Sequence, residues 1–129
     1  MGIDELNALS RRVLDGAFAV HSAVGPGLLE STYQACLLYE LSKRGMRVEA
    51  QVPLPVIYDG KQLLEVGYRI DLLVEGAIVV ELKSIEALAP IHRAQLLSYL
   101  RHSKRRLGLL INFNVEHLKD GIVRQINGF

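Results

Sequence analysis

Residues 71–83 read DLLVEGAIVVELK, in which two apolar runs share a turn and carry ionisable residues at their outer ends. The run Ala77–Val80 is predicted to be a buried strand. Burying carboxylates and an ammonium beside such a strand costs several kcal/mol unless each charge is paired or bound to a metal. The stretch therefore predicts a strand hairpin whose ionisable residues form a functional site.

The loop inside this hairpin decides which side chains meet. Alternate residues of a strand share a face, so Glu81 and Lys83 project together. A three-residue loop around Gly76 places Asp71 on their face, whereas a two-residue Glu75-Gly76 loop places it on the opposite face. We predict the three-residue loop, and hence a cluster of Asp71, Glu81 and Lys83.

The rest of the chain predicts helices and strands around the hairpin. Apolar spacing indicates helices from about Asp4 to Ala23 and from Leu28 to Lys43, separated by Gly25-Pro26-Gly27. The other predicted elements are strands over Gln51–Tyr58, Leu63–Val74, Ala77–Lys83, Leu107–Phe113 and Gly121–Ile126, and a helix over Pro90–His102. The order ααβββαββ predicts an α/β fold with a mixed sheet flanked by helices and one helical crossover. Pro53 and Pro55 predict that the first strand lies at an edge of the sheet.

Composition predicts a single domain over residues 1–129. Half of the residues are apolar, which excludes a disordered chain. No apolar run approaches the roughly 20 residues of a membrane span, and the N-terminus lacks the basic-then-apolar layout of a signal peptide. We therefore expect a cytoplasmic protein that does not enter a membrane. Cys36 is the single cysteine, so no disulfide can form within one subunit, and we expect it in the core.

Charge is informative locally rather than overall. The net charge of +1 is far from the strongly basic balance of many nucleic-acid-binding proteins. Two basic runs, Lys43–Arg47 and Arg101–Arg106, lie at the ends of predicted helices. Cations stabilised by a helix dipole and cations that bind phosphate produce the same pattern, so both interpretations stay open.

Glu30 is a second indication of a site. It lies nearly in line with Leu37 and Leu41 on the predicted second helix, so a carboxylate occupies the stripe that should face the core. A buried acid requires a partner. The alternative is an acid near a helix N-terminus, stabilised by the helix dipole.

Four other side chains on the helices are weighed as parts of the same pocket. Gln95 and Tyr99 are four residues apart and share a face with His92. Gln95 either orients the site or covers the helix surface, Tyr99 either lies in the core or contacts substrate, and His92 is a candidate for substrate contact. His21, near the end of the first helix, is a further candidate, although histidines at helix ends are more often simply polar surface residues.

Arg69 and Tyr33 lie on the predicted strand of Asp71 and the predicted helix of Glu30, respectively. Arg69 should share the face of Asp71, where it either contacts phosphate or forms a salt bridge with Glu81. Tyr33 continues the apolar stripe of its helix, so we expect it in the core.

Together these residues indicate metal-dependent chemistry. Glu30, Asp71 and Glu81 supply carboxylate oxygens of the kind that Mg²⁺ or Mn²⁺ prefers. Lys83 adds a cation that can stabilise phosphate charge or orient a water molecule. A structural ion-pair network is the competing interpretation, but two central acids face only one base. The pattern favours hydrolysis of a phosphodiester.

The motif Asp71…Glu81-Leu82-Lys83, with Glu30 before it and Gln95-x-x-x-Tyr99 after it, resembles the PD-(D/E)XK nuclease superfamily. Residues 27–33, GLLESTY, are similar to the Gly-x-x-Glu-x-x-Tyr signature of the small bacterial GxxExxY proteins, and residues 95–100 and 109–114 also resemble that family. The resemblance covers roughly residues 5–127. Ile70 stands where the superfamily name has a proline, a departure that removes no ligand.

This resemblance implies a restriction-endonuclease-like core and a nuclease that uses Mg²⁺ or Mn²⁺ to cleave DNA or RNA. It implies metal ligation by Glu30, Asp71, Glu81 and the carbonyl of Leu82, and catalytic roles for Lys83 and Gln95. A catalytically silent module that binds nucleic acid or a partner and keeps the fold is the alternative. By analogy a homodimer is expected, with the proline-bearing edge strand or the apolar first helix as the contact.

Overall fold

The computed structural model describes residues 1–128. Its helices are α1 (Ile3–Val24), α2 (Glu30–Lys43) and α3 (Pro90–Ser103), and its strands are β1 (Val48–Tyr58), β2 (Lys61–Val74), β3 (Ile78–Lys83), β4 (Leu107–Asn112) and β5 (Ile122–Ile126). A short 3-10 helix over Leu118–Gly121 precedes β5. The predicted order ααβββαββ is confirmed. None of the helices in the described range combines the length and apolarity needed to cross a membrane.

Within residues 1–128, five strands form one mixed sheet in the order β1-β2-β3-β4-β5. The pairs β1/β2, β2/β3 and β4/β5 are antiparallel, and β3/β4 is parallel. A parallel pair needs a crossover connection, and α3 provides it, as predicted. Strand β1 lies at an edge, which confirms the expectation from Pro53 and Pro55.

The helices pack on both faces of the sheet. Val80 and Leu82 of β3 lie in the apolar cluster that includes α1 and α2, whereas Val79 lies in the cluster that includes α3. Strand alternation separates the two clusters, and β3 is enclosed on both faces. Cys36 is only partly buried and packs against the first cluster, at the margin of the core in which it was expected. Because β3 is buried in this way, its Glu81 is carried into the interior.

The β2–β3 hairpin has the predicted register. Leu72 pairs with Val80 and Val74 pairs with Ile78, which leaves the three residues 75–77 as the loop. The prediction of a three-residue loop is therefore confirmed. By the same register, Asp71 lies opposite Glu81.

The basic runs end near the turn of this hairpin, away from the acids. The Arg105 Nε donates to the carbonyl of Gly76 at 2.9 Å, and the Arg47 Nε lies 3.8 Å from the Glu75 Oε2. Five residues of strand separate Gly76 from Glu81, a span of about 16 Å at about 3.3 Å per residue. These contacts favour the structural interpretation of the basic runs.

Candidate active site

The β2–β3 ladder opens where the two acids face each other. Its last backbone pair is Leu72 with Val80, one residue before Asp71 and Glu81. Beyond that pair, the Leu82 N–H donates to the Asp71 Oδ2 at 2.9 Å, and the Asp71 N–H donates to the Glu81 Oε1 at 3.2 Å. Each carboxyl group is thus held by a backbone N–H of the neighbouring strand. The two acids are fixed side by side.

Burial gives Glu81 unusual acid–base properties. Only 5% of the residue is exposed, whereas Asp71 is half-buried. Desolvation, followed by the charge of Asp71, raises the pKa of Glu81 to about 9. In the metal-free protein Glu81 is therefore protonated at neutral pH.

Lys83 and Leu82 complete the strand end. The carbonyl of Lys83 accepts the Phe113 N–H at 2.9 Å, so the Lys83 backbone faces β4. Successive residues of a strand direct their N–H and C=O groups to opposite edges, so the carbonyl of Leu82 faces the edge on which Asp71 lies. The charge of half-buried Lys83 offsets part of the burial-driven rise in the pKa of Glu81.

Glu30 is not buried, and that expectation was wrong. It is the first residue of α2 and is exposed, while the buried stripe begins one turn later at Tyr33. Partial desolvation raises the pKa of Glu30, the charge of Lys83 opposes the rise, and the charge of Asp71 adds to it. Glu30 therefore lies within electrostatic reach of the site. No group of three His, Cys, Asp or Glu side chains is arranged for metal binding in residues 1–128, and ligation by Glu30 stays a prediction.

Tyr33 and Ser84 hold the start of α2 in place. The Tyr33 hydroxyl donates to the carbonyl of Gly25 at 2.6 Å and accepts the Leu28 N–H at 3.2 Å. Its ring stacks on Phe113 with centroids 4.5 Å apart, which confirms Tyr33 as a core residue. The Ser84 hydroxyl, directly after β3, donates to the carbonyl of Leu28 at 2.5 Å. These contacts position the first turn of α2 beside the site.

Of the predicted pair on α3, Gln95 and Tyr99, only Tyr99 reaches the site. Tyr99 is buried, and desolvation followed by the charges of Glu81 and Asp71 raises its pKa to about 12. Its ring stacks on Tyr68 with centroids 4.7 Å apart. Gln95 is exposed and donates through Nε2 to the Tyr99 hydroxyl at 3.1 Å. Tyr99 therefore borders the acids, and Gln95 supports Tyr99.

The two histidines make local structural contacts. The His92 Nδ1 accepts the Ala89 N–H at 2.9 Å at the start of α3. The buried His21 ring is hydrogen-bonded through Nε2 to the carbonyl of Val115 at 2.8 Å. The structure thus brings neither ring into contact with the acid pair, and substrate contact by them stays a prediction.

Arg69 does not pair with Glu81. Its exposed guanidinium donates through Nη1 to the carbonyl of Gln51 at 3.4 Å. The expected salt bridge to Glu81 is absent from the described part of the chain, so that alternative was wrong. Phosphate contact by Arg69 stays a prediction.

Sequence reasoning missed two glutamines beside Asp71. The Gln51 Nε2 donates to the Asp71 Oδ1 at 3.3 Å and to the Gln34 Oε1 at 2.6 Å. Gln34 follows Glu30 by four residues on α2, so helical spacing alone could have identified it. Gln51 becomes visible only when the β1–β2 register is known.

Asn112 was also missed. It is 1% exposed, and its Oδ1 accepts the Ile85 N–H at 3.1 Å while its Nδ2 donates to the Ile85 carbonyl at 3.0 Å. A Cβ at Gly121 would lie 2.2 Å from the Asn112 carbonyl oxygen, so glycine is needed for that close approach. A buried amide at the end of an apolar strand was the available signal. The Asn112 side chain holds Ile85 and thus the segment that follows Lys83.

A family model described as the PD-(D/E)XK nuclease superfamily matches residues 7–125. Comparisons with curated proteins and with solved structures gave no significant match. The matched range includes the acid pair, Lys83 and the glutamines beside them. The narrower likeness to GxxExxY proteins stays a prediction.

Proposed function

This chain belongs to the PD-(D/E)XK nuclease superfamily, and from that membership and its acid pair we propose that it is a metal-dependent nuclease that hydrolyses phosphodiester bonds in DNA or RNA. The observation that carries the proposal is the placement of Asp71 and Glu81 side by side where the strand ladder opens. Neither acid forms an ion pair within residues 1–128. Burial of Glu81 beside the carboxylate of half-buried Asp71 raises the pKa of Glu81 to about 9, and strongly shifted acids of this kind cluster at functional sites, so the arrangement points to a ligand.

The donor set fits Mg²⁺ or Mn²⁺. Asp71, Glu81 and the Leu82 carbonyl offer hard oxygen atoms, and Mg²⁺ is usually held by one or two carboxylates with water and substrate phosphate in the other positions. Such a cation would act as a Lewis acid and lower the pKa of a bound water. Glu81 must lose its proton to serve as a ligand, so binding should become tighter as the pH rises.

The remaining side chains have distinct proposed roles. Lys83 stabilises the charge that develops on the phosphate or orients the attacking water. Tyr99 borders the acids on the α3 side, and Gln95 holds the Tyr99 hydroxyl. Arg69, which is exposed on β2, contacts substrate phosphate. The exposed Glu30 lies within electrostatic reach of Lys83 and Asp71, and we propose it as a further metal ligand.

A cleavage screen tests this function. Wild-type protein is incubated with single- and double-stranded DNA and RNA in Mg²⁺, in Mn²⁺ and in chelator. Asp71→Asn removes a ligand at nearly constant shape, and Glu86→Gln, an exposed acid in the segment after Lys83, is the matched control. We expect cleavage by the wild type and by Glu86→Gln, and none by Asp71→Asn or in chelator.

Two results would contradict the nuclease assignment. Equal cleavage by Asp71→Asn would show that the acid pair does not carry the reaction. Wild-type protein that binds nucleic acid but cleaves no substrate with either metal would support the catalytically silent module instead. The homodimer and the cytoplasmic location expected from the sequence remain predictions.

A further inference from the structure

We propose that Gln51 is a positioning residue that fixes the carboxylate of Asp71 and links it to helix α2. This inference rests on the proposed function, because Asp71 would be positioned there to bind the metal. Its basis is a chain of side chains, Gln34–Gln51–Asp71, that connects a helix to the acid pair.

The hydrogen bonds around Asp71 leave its carboxylate little freedom. The Leu82 N–H holds the Oδ2 at 2.9 Å, and the Gln51 amide holds the Oδ1 at 3.3 Å. The Gln51 NH₂ group has two hydrogens, and its second acceptor is the Gln34 Oε1 at 2.6 Å. Each oxygen of Asp71 therefore has its own protein donor, one from β3 and one from β1.

The backbone of Gln51 is distorted at the point opposite Asp71. Gln51 has φ 54°, in the left-handed region that a glutamine in a strand rarely adopts. The β1–β2 pairing skips this position, with Ala50 opposite Leu72 and Val52 opposite Ile70. Strained residues of this kind persist where surrounding contacts impose them, most often at functional sites.

Strand β2 changes face at the same point. Ile70 packs in the cluster with α3, whereas Leu72 packs in the cluster with α1 and α2, although residues two apart share a face in a regular strand. Asp71 therefore occupies an irregular position that the strand alone does not define. The Leu82 N–H holds one oxygen of its carboxylate, and the Gln51 side chain holds the other.

The same chain couples the acid pair to α2. Gln34 lies one turn after Glu30, so the helix face that carries Glu30 also holds the amide of Gln51. A shift of the first turns of α2 would pass through Gln51 to Asp71. This coupling gives Gln51 a role beyond holding β1 in place.

Substitution by glycine separates positioning from a merely structural role. Gln51→Gly removes the bonds to Asp71 and Gln34 but relieves the positive φ. If Gln51 only braces β1, the variant should melt earlier and leave Asp71 unchanged. If Gln51 positions Asp71, the variant should keep the melting temperature or raise it, while Asp71 loses its fixed rotamer. Asp59→Gly is the matched control, because Asp59 also has φ 54° but is exposed in the β1–β2 turn.

The experiment uses three measurements on the full-length protein. They are the melting temperature, the Mn²⁺ affinity by calorimetry, and the χ1 rotamer of Asp71 from three-bond NMR couplings in the metal-free state. For Gln51→Gly we expect averaged couplings and roughly 10- to 100-fold weaker Mn²⁺ binding, the usual loss when a group that orients a metal ligand is removed. For Asp59→Gly we expect wild-type couplings and wild-type affinity.

The outcomes distinguish this inference from the nuclease proposal. A fixed Asp71 rotamer in Gln51→Gly overturns the positioning role, whatever the enzyme cleaves. Averaged couplings in a protein whose wild type neither binds Mn²⁺ nor cleaves nucleic acid support the positioning and reject the nuclease. If Gln51→Gly does not fold, Gln51→Met is tested in its place, because methionine has a side chain of similar length without the two N–H donors. A fixed rotamer in that variant overturns the inference.

Discussion

The two ends of the β2–β3 hairpin both carry ionisable residues, yet they use them differently. At the turn, Glu75 is 30% exposed and pairs with Arg47, and the ladder is complete up to Val74. At the open end, Glu81 is 5% exposed, has no ion pair in the described residues, and faces Asp71 beyond the last backbone pair. A charge that is paired near solvent supports structure. An enclosed acid without a cationic partner is suited to bind a ligand.

The strongest test of this contrast is the removal of one ammonium from each end. Lys83→Met should lower cleavage by about 10²- to 10³-fold, because a preorganised charge in a water-excluded site stabilises the transition state far more than a charge in solvent does. Lys104→Met, near the turn, should cleave normally. Rates are measured at saturating Mg²⁺ and corrected for folded fraction. A Lys83→Met protein that melts early yet cleaves normally after correction would reject the catalytic role.

A second test is the pH dependence of stability in the metal-free protein. Below about pH 4.5 Glu81 is protonated in both the folded and the unfolded chain, and its stability contribution is fully present. Between about 4.5 and about 9 the unfolded chain releases this proton and the folded chain keeps it, so stability falls as the pH rises. The loss approaches about 1.4 kcal/mol per pH unit.

Urea unfolding in chelator between pH 5 and 9 measures this slope. Glu81→Gln should flatten it, because the amide does not titrate. Glu75→Gln at the turn should keep the wild-type slope. A Glu81→Gln protein with the wild-type slope would show that Glu81 is ionised in the fold.

Bound metal should increase the free energy of unfolding. At free Mn²⁺ one hundred times the Kd, mass action stabilises the fold by about 2.7 kcal/mol. The gain should be larger at pH 8 than at pH 6, since Glu81 must release its proton to bind. Melting curves with and without Mn²⁺ measure it. If wild type and Glu81→Ala respond identically to Mg²⁺ and Mn²⁺, the metal site is wrong.

The smallest effect is expected from the ion pair at the turn. Arg47→Ala should change stability by less than about 1 kcal/mol, because the arginine side chain is 74% exposed and its Nε lies 3.8 Å from the Glu75 Oε2. Cleavage should not change. A loss of cleavage at wild-type stability would show that the turn and the open end act together, which would remove the contrast between them.

Contacts between residues that are near in the sequence could be predicted, whereas contacts between distant residues could not. The pairing of Asp71 with Glu81 depends on a loop inside a segment of eleven residues, so alternation and turn length were sufficient to predict it. The contact from Gln51 to Asp71 crosses a hairpin with register shifts between Leu54 and Ile57. No local pattern encodes those shifts.

Glu30 shows a different kind of error. The periodicity that linked it to Leu37 and Leu41 is real, since both leucines and Tyr33 are fully buried. The helix begins at Glu30, however, and the chain before it turns through Gly25–Leu28 toward Ser84, so the first residue of the stripe stays in solvent. Periodicity predicts a helix face, but tertiary contacts decide where that face is covered.

The attachment of β4 to the end of β3 also orders events during synthesis. The Lys83 carbonyl accepts a hydrogen bond from the N–H of Phe113, and the Ile85 N–H donates to Asn112, which is 27 residues further along the chain. Neither bond can form before these later residues have been synthesised. A nascent chain that has left the ribosome only as far as α3 already contains both acids, but β3 lacks its neighbour β4, so we expect water to reach Glu81. We expect its carboxyl group to be ionised at that stage and to take up its proton only when β4 docks. During synthesis both acids are therefore expected to be present before the enclosed environment of Glu81 has formed.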